Sequence, residues 1–327
     1  MEDRKSMKLT LEQVKTITSG ALTVWEENGV FRFAKCTQKQ VDAWYKLEDI
    51  LGFRAESTTG VRLDFYTDSV FFAFTPQIKG EFERYEVYVD GLLTYYYTRD
   101  DFFNCVRKEI ALDGKEHRIT LCLPGHEIGA LETVEIDDDA SLRRHEFDCK
   151  ILFIGDSITQ GWESTWDSLS YAYNVSRFFN ADSIIQGIGG SYSHNTVFDT
   201  SIAFEPDIVI IAYGTNDWNY YQTIEEGRMH LSKFLDQLVD RYGDKKLFGI
   251  SPIWRNDYEK DPAMGSFESC CNYVKEEIKN HNMILIEGES LVPPLPEFFI
   301  EDILHPNTTG FGIYALNLIA QMQRHLG

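Results

Sequence analysis

The sequence predicts two domains of different class, an all-β domain followed by a doubly wound α/β domain. Three observations carry this. Up to about residue 145 the apolar pattern is short and alternating. From Cys149 it changes to continuous Ile/Val/Leu runs separated by helix-period stretches. Between them lies Asp137-Asp138-Asp139, an acidic segment of the kind that stays in water. The expected domains are 1–145 and 146–327.

The front domain is read from Val61-Arg62-Leu63-Asp64-Phe65-Tyr66, Phe71-Phe72-Ala73-Phe74, Tyr85-Glu86-Val87-Tyr88-Val89 and residues 117–123. These are short runs rich in β-branched and aromatic residues. Asp90-Gly91 separates two of them, a strong short hairpin signal because both residues tolerate positive φ. Short strands broken by frequent turns predict a β-sandwich of jelly-roll type. Helices near 11–17 and 39–45 are expected to decorate it.

The second domain is read from five apolar runs at 151–154, 183–185, 208–212, 247–250 and 283–286. Helix-period stretches near 166–180, 223–242 and 266–280 lie between them, and a last one follows Gly310. Strands apolar at every position are buried on both faces, so this is a parallel five-stranded sheet sandwiched between helices.

Four short pieces lie where such a sheet places chemistry, beyond the carboxyl ends of its strands. Gly155-Asp156-Ser157-Ile158-Thr159 follows the first strand, Gly187-Ile188-Gly189-Gly190 the second and Gly214-Thr215-Asn216-Asp217 the third. Asp302-Ile303-Leu304-His305-Pro306 comes after the fifth. Together they hold the parts of serine acyl transfer. Ser157 is a nucleophile, and His305 is a base whose ring the carboxylate of Asp302, three residues earlier, can orient. Glu301 is a local rival for that carboxylate role. Asn216 offers an amide, and Ser157 and one of the glycines offer backbone N–H groups, for an oxyanion hole. Each piece alone has a plainer reading, since Gly-Asp-Ser also caps helices and Gly-Ile-Gly-Gly also makes a tight turn. Tyr192 stands where a dinucleotide fingerprint needs its third glycine. Ser193 stands where a nucleophile elbow needs glycine, which makes Ser191 and Ser193 poorer nucleophiles than Ser157. No phosphate-binding loop or His-Glu-x-x-His sequence occurs, so neither cofactor nor metal is expected.

These four blocks resemble those of the SGNH (GDSL-type) hydrolases over roughly 148–327. The resemblance implies a flavodoxin-like three-layer α/β/α fold, Ser157 as nucleophile, Asp302 and His305 completing a triad, and Gly190 and Asn216 completing the oxyanion hole. The second block usually begins with Asn. Gln186 lies near that place, which leaves the choice among Gly187, Gly189 and Gly190 open. A β-sandwich ahead of such a domain resembles the layout of carbohydrate esterase family two. That implies a short-chain (acetyl) esterase acting on carbohydrate esters, the alternative being a lysophospholipase or thioesterase with the same triad. Trp162, Trp218, Trp254 and Arg255, all near sheet-edge loops, are candidates for sugar contact.

Composition bounds the partners. The chain has 327 residues and a net charge of -21, with a pI near 4.7. Nucleic acid and anionic membrane are therefore repelled, leaving a small-molecule or oligosaccharide ester as the expected partner. The oligomeric state is not legible. No apolar run reaches the ~20 residues of a membrane span. The six cysteines form no Cys-x-x-Cys pair, and no apolar stretch follows the first residues, so reduced thiols in the cytoplasm are expected.

Overall fold

A computed structural model describes residues 5–103, 105–260, 262–301 and 304–326. The chain divides into two compact units. One comprises Met1–Cys36 and Glu56–Phe147, the other Thr37–Ala55 and Asp148–Gly327.

The first unit is a sandwich of two six-stranded antiparallel sheets. In one, the strands run Thr23–Glu27, Val30–Ala34, Ala130–Asp137, Phe71–Pro76 and Lys108–Ala111, with Ser6–Lys8 added to Ala130–Asp137. In the other they run Arg143–Arg144, Arg62–Thr67, His117–Cys122, Arg84–Val89 and Leu92–Thr98, with Thr18–Ser19 added to Arg62–Thr67. Alternation sends Phe31, Phe33, Phe72, Phe74, Val134 and Ile136 from the first sheet, and Leu63, Phe65, Val87, Ile119 and Leu121 from the second, into one core. The Asp90-Gly91 hairpin forms, with φ of 52° and 80°. The helix Leu11–Ile17 is closed by a capping box between Thr10 and Gln13.

The second unit holds the five-stranded parallel sheet. Its strands are Cys149–Gly155, Ala181–Gly187, Ile208–Ala212, Lys246–Ile250 and Ile284–Ile286, in spatial order second, first, third, fourth, fifth. That is the flavodoxin-like order, whose switch point lies between the first and third strands. The helices Tyr171–Phe178 and Thr308–Leu326 pack on one another, as do Ile224–Tyr242 and Phe267–Asn280.

Residues 37–55 depart from expectation. The helix Gln38–Leu47, read from sequence as an ornament of the sandwich, belongs to the α/β unit. Its side chains explain this. Gln40 exchanges amide hydrogen bonds with Gln186 of the second strand at 3.0 and 3.1 Å. Thr37 donates to Asp199 at 2.7 Å, and Trp44 meets the edge of Tyr192 at 6.4 Å. Val41 and Trp44 are buried, and each such side chain contributes about 1.5–3 kcal/mol of burial free energy. The helix Asp49–Glu56 follows directly. Among the described residues no helix is long and apolar enough to cross a membrane.

Candidate active site

The first strand ends at Gly155, and only glycine fits there. A Cβ would lie 2.2 Å from Thr159 Oγ1 and 2.7 Å from the Ala212 carbonyl. Gly187 ends the second strand under the same constraint, with Gln160 N 2.3 Å from where its Cβ would be. These two gaps let the short helix Ser157–Gln160 settle on the carboxyl ends of both strands. Asp156 caps that helix, accepting from Ile158 N–H at 2.9 Å. The cap sets Ser157 as the first helical residue, where its own N–H has no place in the helical ladder.

Ser157 Oγ lies 2.8 Å from His305 Nε2, although the two are 148 residues apart. The segment bearing His305 is pinned from both sides. Its carbonyl accepts from Ile300 N–H at 3.0 Å, Asn307 N–H donates to the Phe298 carbonyl at 2.9 Å, and Asn307 Oδ1 accepts from Gly310 N–H at 3.0 Å. Asp302, the expected orienting carboxylate, lies outside the described residues.

The candidate oxyanion donors are the N–H groups of Ser157 and one of the loop glycines and the side-chain amide of Asn216. The Gly189 N–H is taken by Gln160 Oε1 at 2.8 Å. Among the described residues no acceptor engages the N–H of Gly190 or of Ser157. Asn216 Nδ2 donates one hydrogen to the Ser191 carbonyl at 2.8 Å, which aims the amide and leaves its second hydrogen available. Ser191 and Ser193 are fully buried. Their hydroxyls serve the Gly155 carbonyl at 3.3 Å and the Asp217 carboxylate.

Two inner carboxylates tie these loops together. Asp217 accepts from Ser193 N–H at 3.2 Å, from the Ser193 hydroxyl and from Gly214 N–H at 3.1 Å, joining the loops that carry Gly190 and Asn216. Burial raises Asp217 to about 6, against the pull of those hydrogen bonds. Burial, reinforced by the Asp217 charge, raises Asp156 to about 7. The two carboxyl groups thus carry less negative charge at neutral pH than two ordinary carboxylates would.

Of the expected sugar contacts, two are corrected. Trp218 has no exposed surface. Its indole N–H donates to the Gly265 carbonyl at 2.7 Å and its ring lies 4.6 Å from the Arg255 guanidinium. Arg255 is itself buried, bound to Asp257 by two bonds of 2.5 and 3.0 Å and to the Thr215 carbonyl at 2.9 Å. Both are buried behind the third block, with no appreciable surface to offer a sugar. Trp162 and Trp254 are half-buried, the first beneath Arg54 at 5.5 Å, the second edge-on to Phe299 at 5.1 Å. Arg54, Gln160 and the bracing role of Asp217 escaped the sequence reading. Arg54 sits far from every motif, on a helix with no chemical signature of its own.

The sequence profile of the GDSL-like Lipase/Acylhydrolase family matches residues 153–313, which span all the pieces described above except Arg54 and its helix. This segment of the chain is therefore similar to the GDSL-like acylhydrolases. Solved structures resemble the whole chain at low identity. A salicylyl-acyltransferase, SsfX3, from a tetracycline biosynthetic pathway superposes with a TM-score of 0.82 at 18% identity, covering 99% of this chain and 98% of its own. A GDSL-like lipase from Bacteroides ovatus gives 0.75 at 17%, covering 98% of both chains. A family two carbohydrate esterase from Clostridium thermocellum, in complex with cellohexaose, gives 0.62 at 20%, covering 82% of this chain and 92% of its own. No curated protein matches the sequence. At these identities the likeness establishes the shared fold, a jelly-roll-like sandwich joined to a GDSL-like domain.

Proposed function

We propose that this protein is a serine esterase that removes short acyl groups, acetyl above all, from carbohydrate esters. The observation that carries the reading is the 2.8 Å approach of Ser157 Oγ to His305 Nε2. Ser157 attacks the ester carbonyl as its proton passes to His305 Nε2. Asp302 holds the ring in the tautomer that presents a bare Nε2. The tetrahedral oxyanion is met by the N–H groups of Ser157 and Gly190 and by the Asn216 amide. His305 then returns the proton to the departing sugar oxygen, leaving an acyl group on Ser157, and water repeats the sequence to release the acid. Exposed parts of the Trp162 and Trp254 rings offer faces for a sugar ring.

The carbohydrate part of the reading is supported by the family two esterases among the structural relatives. A second reading is favoured by the likeness to an acyltransferase over 99% of the chain. An acyl group on Ser157 can pass to an alcohol as well as to water. The deciding experiment compares p-nitrophenyl acetate with the decanoate, then acetylated xylo- and manno-oligosaccharides, with and without an added acceptor alcohol. Fast acetate turnover and free acetate from the oligosaccharides are expected. A preference for decanoate would point to a lysophospholipase or thioesterase, because each buried methylene favours the long chain by about 0.8 kcal/mol. Product appearing mainly on the added alcohol would point to acyl transfer.

A further inference from the structure

The peptide between Gly189 and Gly190 is an unusual element on which to rest catalysis. Ile188–Ser191 form a four-residue turn closed by Ser191 N–H to the Ile188 carbonyl at 3.0 Å, with Gly190 third at φ 81°. A positive φ at that position marks a type II turn. Types I and II differ mainly by a half-rotation of the central peptide, here the one formed by the Gly189 carbonyl and the Gly190 N–H. With glycine on both sides, no Cβ penalises either orientation. One orientation presents the Gly190 N–H to the oxyanion and the other turns it away.

Something outside the turn has to choose. The peptide is trans, so its carbonyl and its N–H point in opposite directions. Arg54 Nη1 donates to the Gly189 carbonyl at 2.7 Å, from the side away from the Gly190 N–H. The guanidinium lies 5.5 Å from the Trp162 ring, and Trp162 N–H in turn donates to the Ser157 carbonyl at 2.9 Å. Arg54 is therefore seated on the nucleophile's own turn while it grips the oxyanion loop. A charged donor on a carbonyl also polarises the N–H of the same peptide, strengthening what that N–H can donate.

We propose that Arg54 is a positioning residue for the oxyanion hole. It holds the Gly189–Gly190 peptide in the orientation that offers the Gly190 N–H to the developing charge. This rests on the esterase reading given above.

The test uses the full chain with p-nitrophenyl acetate and the variants Arg54→Gln, Arg54→Lys and Ser157→Ala. Loss of a single oxyanion donor costs about 100- to 1,000-fold in kcat, which sets the ceiling for losing its orientation. Arg54→Gln should lower kcat about 10- to 100-fold with KM within about twofold, a split expected of a transition-state donor. Arg54→Lys should keep more activity than Arg54→Gln, and millimolar guanidinium should restore part of the Arg54→Gln loss. An unchanged kcat, a change confined to KM, or a lysine variant no better than glutamine overturns the proposal. If Arg54→Gln does not fold by circular dichroism, Arg54→Met takes its place, with the same loss of kcat expected and an unchanged kcat overturning the proposal. Ser157→Ala separates the two failures. If it is as active as wild type, the esterase reading fails. If it is inactive while Arg54→Gln is fully active, only the role of Arg54 fails.

Discussion

Replacing Asp217 separates two reasons for keeping a carboxylate in a closed site, its charge and its shape. Asp217 is fully buried and receives Ser193 N–H, the Ser193 hydroxyl and Gly214 N–H. An asparagine can answer all three. Its oxygen, placed on the Gly214 side, accepts both backbone N–H groups, and its amide donates to a rotated Ser193 hydroxyl. Alanine answers none, and two stranded backbone donors at about 1–3 kcal/mol each cost roughly 2–6 kcal/mol. The charge acts in the opposite direction. Burial raises the Asp217 pKa from 3.8 to about 6, so the folded state binds the proton more tightly than the unfolded state does. The stability from this group is fully present below about 4 and is lost as pH rises through 6, by roughly 3 kcal/mol at about 1.4 per unit. At pH 7.5, Asp217→Asn should therefore unfold in urea within about 1 kcal/mol of wild type, or above it. Asp217→Ala should be roughly 2–6 kcal/mol less stable than Asp217→Asn, the cost of its two stranded donors, with kcat falling as the oxyanion loops part. The wild-type decline between pH 4 and 6.5 should also flatten in the asparagine variant. An asparagine variant as unstable as the alanine variant would refute this reasoning, because the negative charge itself would then be holding the loops.

Three further outcomes are expected. Ser157→Ala should abolish ester turnover, by up to about a million-fold, while thermal unfolding stays near wild type; more than a tenth of wild-type activity would displace Ser157 as nucleophile. Asn216→Ala should lower kcat by about 100- to 1,000-fold at nearly constant KM in steady-state assays, since its amide serves charge present only near the transition state. Lys35, fully buried and bonded to the hydroxyls of Ser57 and Thr59 at 2.8 Å each, is lowered by burial to about 7. Its folded pKa lies below the unfolded 10.5, so wild-type stability should rise with pH across that window. Lys35→Met should gain most over wild type near pH 6.5 and least near pH 10 in urea unfolding.

What could be read from the sequence divides along a physical line. The five strands of the sheet announce themselves because full burial on both faces leaves an unbroken apolar run, as in Ile208–Ala212. Ser157 and Asn216 are legible because a strand end and the turn after it form one local unit, so chemistry and topology sit together in a few residues. His305, well beyond the fifth strand Ile284–Ile286, is legible only through the aspartate three residues before it. The helix Gln38–Leu47 did not reveal its allegiance. Its partners Gln186, Tyr192 and Asp199 lie far along the chain, and an amphipathic helix looks the same whichever core it faces. Trp218 and Arg255 misled for a related reason. Near a sheet edge, an aromatic beside a cation reads alike whether it faces solvent or locks a loop from within. Arg54 was invisible because its work is done on a backbone carbonyl, and a carbonyl leaves no mark in a sequence.

The two-segment make-up of the α/β unit has a consequence for synthesis. Thr37–Ala55 leaves the ribosome before Glu56–Phe147, and the strands that cover it come later still. At about 5–20 residues per second, Val41 and Trp44 wait on the order of ten seconds for Gln186 and Tyr192 to exist. During that interval the sandwich strands are synthesised while the apolar side of the helix Gln38–Leu47 has no partner. A gene fragment starting at Asp148 would encode the whole parallel sheet and the residues of all four motifs. It would still leave the Gly189 carbonyl without its arginine, so such a fragment should be judged by its turnover as well as by its solubility.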